Sequence, residues 1–206
     1  LHTKEIAMGD IQEALCVFQK LMDYKYKFTI SHKKVAYDLE LDFNEKDFRH
    51  MAGLHYLYDI DIPNAPKTLF DKIENEKIND RYLSESVNYT KVQDSYANVK
   101  SRIFGLKYLE KFLDSRNIIC KYVKYMNLYS SINADYMIKS VVDHIKAYIF
   151  LRKRKHGKGY CICSFFIEPQ NDYKGIGVYW LYKSKIRLSD NTEEVLYNRL
   201  SKDAAN

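Results

Sequence analysis

Ala134-Asp135-Tyr136-Met137-Ile138-Lys139-Ser140-Val141-Val142 and Ile145-Lys146-Ala147-Tyr148-Ile149-Phe150-Leu151-Arg152-Lys153 are the stretches whose reading decides the fold. Both are short, rich in β-branched and aromatic residues, and lack a helical period, so both predict strands. The same texture recurs at 118–125, 160–168 and 178–188. Everything after Asn117 therefore predicts an antiparallel sheet, up to a closing helix expected at 192–200.

Upstream the period is helical. Ile11, Leu15, Phe18, Leu21 and Met22 mark an amphipathic helix over about 4–23. Runs at 26–30 and 35–43 predict a β-hairpin turning at His32-Lys33-Lys34, after which Asn44 caps a helix with Asp47 at its third position. Residues 59–66 break that helix, Pro66 opens a short one carrying Leu69, Phe70 and Ile73, and another begins near Asn79. The longest helix is expected over 92–114, with Val99, Ile103, Leu106, Leu109 and Leu113 in one stripe and Arg102 on its margin. Helices first and strands afterwards predict an α+β fold: N-terminal helices, with a β-hairpin, packed on an antiparallel sheet formed mainly by the C-terminal half. A single domain over 1–206 accommodates all of it.

Composition narrows the function without naming it. Lys and Arg number 33 against 27 Asp and Glu, a net charge of +6, which suits a polyanionic partner without requiring one. The 19 tyrosines against 3 prolines and 7 glycines argue against disorder. The 4 cysteines, Cys16, Cys120, Cys161 and Cys163, lack zinc-type spacing, so neither a metal nor another cofactor is expected and a reducing cytoplasm is the simplest setting. Cys161 and Cys163 should point the same way from a strand. Residues 1–5 do not read as a signal peptide, and no apolar run approaches the ~18 residues of a membrane span. Leu1 in place of methionine is what a trimmed or excised chain would show.

The chemistry gathers in Asp47-Phe48-Arg49-His50-Met51-Ala52-Gly53-Leu54-His55-Tyr56-Leu57. In an unbroken helix the two histidines stand roughly 140° apart, His55 on the arc of Phe48 and Met51 and His50 with Leu54 and Leu57. Each histidine reads either as a hydrogen-bonded core residue or as a proton carrier near neutral pH. Gly53 inside a helix points to a close approach by a backbone or a ligand. Farther on, Arg152-Lys153-Arg154-Lys155-His156-Gly157-Lys158 forms a basic hairpin tip, either a phosphate-binding surface or a solvated turn that discourages edge pairing. Alternation in the 160–168 strand puts Ser164 with Ile162 and Phe166, opposite the cysteines, and Asp135 with Lys139, opposite Tyr136.

Phe48-Arg49-His50-Met51-Ala52-Gly53-Leu54, Ser101-Arg102-Ile103 followed by Leu109-Glu110 and Leu113-Asp114, Ala134-Asp135-Tyr136-Met137-Ile138, and Cys163-Ser164-Phe165-Phe166 occur in an order that resembles one family over roughly 5–190. It is the fourth of the phage-associated nuclease families grouped with barnase, EndoU, the colicin RNase domains and RelE. The family's usual leucine after the motif histidine is Met51 here. The resemblance implies metal-independent RNA cleavage by a protein of a phage or other mobile element, acting in the cytoplasm. No universal triad transfers within that group, so each role is argued from chemistry. His50 is the candidate base or acid and Arg102 the candidate phosphate clamp. Tyr136 or Lys139 would supply a second proton or charge, Ser164 would orient the phosphate, and Asp135 would orient a neighbour. Arg152, Lys153, Arg154, Lys155 and Lys158 are the candidate nucleic-acid contacts. RNA is the expected partner, with an inhibitor or a host-defence protein as further candidates. The alternative is a module on the same scaffold that binds nucleic acid or a host protein without turnover.

Overall fold

A computed structural model of the chain describes residues 8–92, 97–169 and 172–200. Helix α1 (Asp10–Met22) buries Ile11, Leu15, Phe18 and Leu21, the stripe read from the sequence. It starts later than expected, at Asp10 after the extended Gly9; residues 4–7 of the expected helix, and the residues read for a signal peptide, lie outside the described residues. Strands β1 (Tyr24–His32) and β2 (Val35–Leu41) form the expected hairpin. Lys33 and Lys34 join them at φ 50° and 66°, the left-handed conformation that suits a two-residue turn to the strand twist. In helix α2 (Glu45–Met51) the Asn44 N–H donates to Asp47 Oδ2 at 3.0 Å, the expected cap. A 3-10 turn (Leu54–Tyr56) follows, then α3 (Pro66–Glu74) and α4 (Asp80–Leu83).

The single helix expected over 92–114 is instead two, α5 (Val99–Leu106) and α6 (Leu109–Asp114). Asn98 fixes the start, its side chain accepting from Ser101 N at 2.8 Å. The break falls at Lys107, whose Nζ meets Asp10 and Glu13 of α1 at 2.8 and 2.9 Å. Residues 93–96 of the expected helix lie outside the described residues.

The later strands are β3 (Ile118–Tyr122), β4 (Tyr136–Val142), β5 (Ile145–Lys153), β6 (Tyr160–Ile167), β7 (Gly175–Gly177), β8 (Tyr179–Arg187) and β9 (Glu193–Asn198). The first expected strand ends early, at Tyr122, ahead of a 3-10 turn at Lys124–Met126. The expected closing helix is the strand β9, paired antiparallel along β8. An open β8 edge carries a row of N–H and C=O groups to satisfy, and that ladder prevails over the modest helix preference of Val195, Tyr197 and Asn198.

All strands join one 9-stranded sheet in the order β7-β3-β4-β5-β6-β2-β1-β8-β9. Its pairings are antiparallel except β2 with β6, which touch in parallel at Leu41 and Tyr160. Strands β7 and β8 stand far apart in that order, yet only Val178 separates them in the chain. One residue spans under ~4 Å, so the sheet must curl until its ends approach. The helices fill one face, where Phe18, Phe28, Phe48, Ile103, Leu113, Ile149 and Phe165 share a core. A second core on the other face joins Met137, Tyr148, Phe150 and Phe166 to Ile132 and Tyr173.

Candidate functional site

Strand β6 carries a bulge. Leu151 pairs with Ile162 and Phe150 with Ser164, so Cys163 has no opposite residue on β5. A bulge shifts the phase of the following carbonyls. Past Tyr160 no pairing with β2 remains along this edge, and two helices supply the missing donors. His50 of α2 bonds the Cys163 carbonyl through Nε2 at 2.9 Å, and Arg102 of α5 donates from Nη1 to the Phe165 carbonyl at 3.0 Å. Two motif residues 52 positions apart thus converge on one strand edge, two residues from each other.

The histidine helix is not continuous. Gly53 adopts φ 74°, a left-handed conformation that ends α2 and starts the 3-10 turn. This overturns the expected 140° separation: the His50 and His55 rings lie face to face, centroids 4.5 Å apart and planes inclined by 20°. His55 also meets the Tyr56 ring at 4.0 Å instead of packing with Phe48 and Met51. The close approach expected at Gly53 is a side chain, since a Cβ there would stand 2.9 Å from Arg102 Cδ.

Against a carbonyl, His50 Nε2 must carry the hydrogen, which leaves Nδ1 with the lone pair. Burial of the ring lowers the His50 pKa below its ordinary value, and the charges of Arg102 and Arg152 add to this while the Cys163 carbonyl opposes it. Burial pulls His55 down further, to about 4, with His50 and Arg102 contributing. Both rings are therefore neutral near pH 7. His50 is exposed as a residue, whereas His55 Nδ1 is buried without a hydrogen-bond partner among the described residues.

Arg102 does not reach a cleft. Its residue exposure is 3%, with the guanidinium carbon 5.7 Å from the Tyr56 ring centroid and 5.6 Å from that of Phe166. Arg152, in contrast, is exposed and close enough to His50 to act on its protonation.

The remaining candidates stand apart. Tyr136 lies on the helix-side face of β4, its ring 5.9 Å from Tyr160. Lys139 lies on the opposite face, its Nζ 3.3 Å from Asp172 Oδ1, an oxygen shared with Lys146 and the Tyr148 hydroxyl. The Tyr148 hydrogen bond and the two lysines hold the Asp172 carboxyl down at about 2. Asp135 orients neither histidine nor lysine; its carboxylate accepts the Lys153 N–H at 2.8 Å. The bulge also corrects the facing of Ser164. Its ladder partner Phe150 belongs to the outer core with Cys163 and Phe166, while Ile162 belongs to the helix-side core. Ser164 is buried on the cysteine face. The cysteines themselves do share a face.

Of the basic tip, Arg152, Lys153, Lys155 and Lys158 are exposed. Arg154 is not available to phosphate. Its Nε bonds Asp42 Oδ1 at 2.5 Å and its Nη2 bonds Asp47 Oδ2 at 2.6 Å. Burial alone would lower the Arg154 pKa, but Asp47 and Asp42 outweigh it and raise the value. Because Asp47 also caps α2, Arg154 ties the hairpin tip to the helix that carries His50.

Two contributors were missed from the sequence: His55 as the neighbour of His50, and Arg152 as the exposed cation beside it. Gly53 was the available signal for the first, because a glycine that breaks the helix undoes any face argument across it.

Residues 10–204 match the family model described as phage-Barnase-EndoU-ColicinE5/D-RelE like nuclease4. Neither a curated protein nor a solved structure matches the chain.

Proposed function

This chain belongs to the phage-Barnase-EndoU-ColicinE5/D-RelE like nuclease4 family, and on that premise we propose that it is a metal-independent endoribonuclease of a phage or other mobile element, acting on RNA in the host cytoplasm. The observation that supports the reading best is the exposed His50, held by the Cys163 carbonyl with Nδ1 free to take a proton. The ribose 2′-OH gives its proton to Nδ1 and its oxygen attacks the adjacent phosphorus. The bond to the 5′-oxygen breaks, that oxygen takes a proton from water, Nδ1 returns its proton to the solvent, and a 2′,3′-cyclic phosphate remains.

Developing charge on the phosphorane calls for a cation in reach. Arg152 takes that part, with Lys153, Lys155 and Lys158 holding the flanking backbone. Arg102, sealed between Tyr56 and Phe166, is a positioning residue: it fills the space over Gly53, and its charge lowers the His50 pKa, which keeps the ring in its neutral, proton-accepting form. Tyr136, Lys139 and Ser164 have no part in this version.

The test is RNA cleavage in EDTA with end-group analysis. The wild type should leave cyclic phosphate ends, His50→Ala should lose about 10²–10⁴-fold in rate, as removal of a general base does, and Arg152→Ala should lose more in rate than in binding. Equal persistence of several RNAs with wild type and variants would remove catalysis.

One observation favours a second reading, a module that occupies a nucleic acid or a host-defence protein without turnover: Arg102 is sealed and the other candidates do not converge on His50. That reading predicts salt-sensitive RNA binding that survives His50→Ala and yields no product.

A further inference from the structure

Where the curled sheet brings its ends together, a cleft of about 620 Å³ opens between β3, β7 and the β8–β9 pair. It is remote from His50 in sequence and none of the nuclease candidates lines it. Its walls combine two chemistries. Trp180, Tyr179 and Tyr197 give it aromatic surface, and Arg116, Arg199 and Lys183 give it positive charge; among the described residues no carboxylate lines it.

The two arginines are exposed and make no ion pair among the described residues. Lys183 differs: it is 3% exposed and donates to the Leu113 and Ser115 carbonyls at 2.8 and 2.6 Å. It closes the end of α6 and adds background charge. The wall is rigid where it matters. Trp180 donates its indole N–H to the Asn117 carbonyl at 2.9 Å, and Phe28 packs edge-on against its ring with centroids 5.1 Å apart. Asn117 lines the cleft as well; its Nδ2 is spent on the Phe112 carbonyl, while Oδ1 is buried with no hydrogen-bond partner among the described residues.

Planar aromatic surface with two exposed arginines and, among the described residues, no carboxylate is the complement of a base joined to a phosphate. We infer that this cleft binds a nucleotide, its base against Trp180 and Tyr197 and its phosphate on Arg116 and Arg199. Volume agrees, since small-molecule sites run from roughly 300 to 1,000 Å³. The nucleotide is either free or one unit of a single strand, and the same contacts serve both. The site needs no turnover at His50.

Trp180 is the only tryptophan of the chain, so its fluorescence reports this cleft directly. The full chain is titrated with adenosine 5′-monophosphate and, separately, with a 2′-O-methyl oligonucleotide that has no 2′-OH to attack. Saturable quenching by the mononucleotide supports a free nucleotide site, and quenching by the oligonucleotide alone supports a strand unit. In either case Arg116→Ala with Arg199→Ala should weaken binding by about tenfold or more, the loss expected for charge-assisted phosphate bonds, while His50→Ala should leave it unchanged. Both arginines are exposed, so the double variant should fold, which circular dichroism verifies. Quenching that is absent for both ligands, or equal in the double variant, overturns the inference. Because the readout is binding at Trp180, either result stands apart from the fate of RNA cleavage at His50.

Discussion

Gly53 and Arg102 are in contact at a distance that leaves no room for a methyl group: a Cβ on Gly53 would stand 2.9 Å from Arg102 Cδ. The same glycine holds φ at 74°, where it redirects the chain and brings His55 onto His50. One residue thus sets both the packing of the buried guanidinium and the stacking of the imidazoles.

Gly53→Ala should therefore destabilise the protein by about 1–3 kcal/mol, from left-handed strain plus the displacement of Arg102. Urea unfolding of the variant measures it. A loss below ~0.5 kcal/mol would mean that neither constraint holds. Because Arg102 also acts on His50, the His50 titration should move in the variant.

The rate profile of RNA cleavage follows from the lowered His50 pKa. A base must be deprotonated, so kcat/KM should rise with pH through a midpoint below the ordinary ~6.5 and be level at pH 7. Histidine-resolved NMR and the rate profile should give the same midpoint. A rising limb centred above pH 7 would assign the base to another group.

His55 makes a prediction about stability. Its folded-state pKa is about 4, below the ordinary ~6.5, so the unfolded chain binds the proton more readily. Stability is complete above the unfolded value and is lost as pH falls toward 4. The full shift corresponds to about 3 kcal/mol, and partial solvent access of the ring reduces this to about 1–2 kcal/mol. Unfolding free energies at pH 7 and pH 4.5 for wild type and His55→Gln should diverge by that amount. Parallel pH dependences would show that His55 is not held neutral.

The strands were legible because their cause is local: the reading of 145–153 as a strand matches β5. What escaped depends on distant partners. Strand β9 exists because β8 offers an edge, and Ser164 turns outward because a bulge at Cys163 resets the alternation. Arg102 was visible on the margin of its helix, yet its sealing between Tyr56 and Phe166 depends on segments about 50 residues before and 60 after it. Glu110 and Asp114, prominent in the resemblance, meet Lys185 and Tyr26 across more than 70 residues, which makes them structural ties between α6 and the sheet. The family order of the motifs was readable because sequence order survives folding, whereas which motif residues meet is a tertiary property.

Neutralising Arg152, Lys153, Lys155 and Lys158 together should weaken RNA binding at low salt and flatten its salt dependence. Each phosphate contact to a single strand contributes roughly −0.7 to the slope of log K against log salt, so four lost contacts lower it by about 3. Binding measured by fluorescence anisotropy from 50 to 200 mM salt decides this. An unchanged slope would leave the tip as a solvated turn.

Arg154 should behave differently from its neighbours. With a side chain only 10% exposed and both Asp42 and Asp47 as partners, its removal leaves two carboxylates uncompensated. Arg154→Met should cost about 2–4 kcal/mol, less than a fully buried pair because Asp42 is 40% exposed. The salt slope of RNA binding should stay at the wild-type value, because Arg154 touches no phosphate. Cleavage should fall more than binding, since Asp47 caps the helix that presents His50 and loses its anchor to the tip. A variant with wild-type stability and a flatter salt slope would reverse this assignment and return Arg154 to the RNA-binding surface.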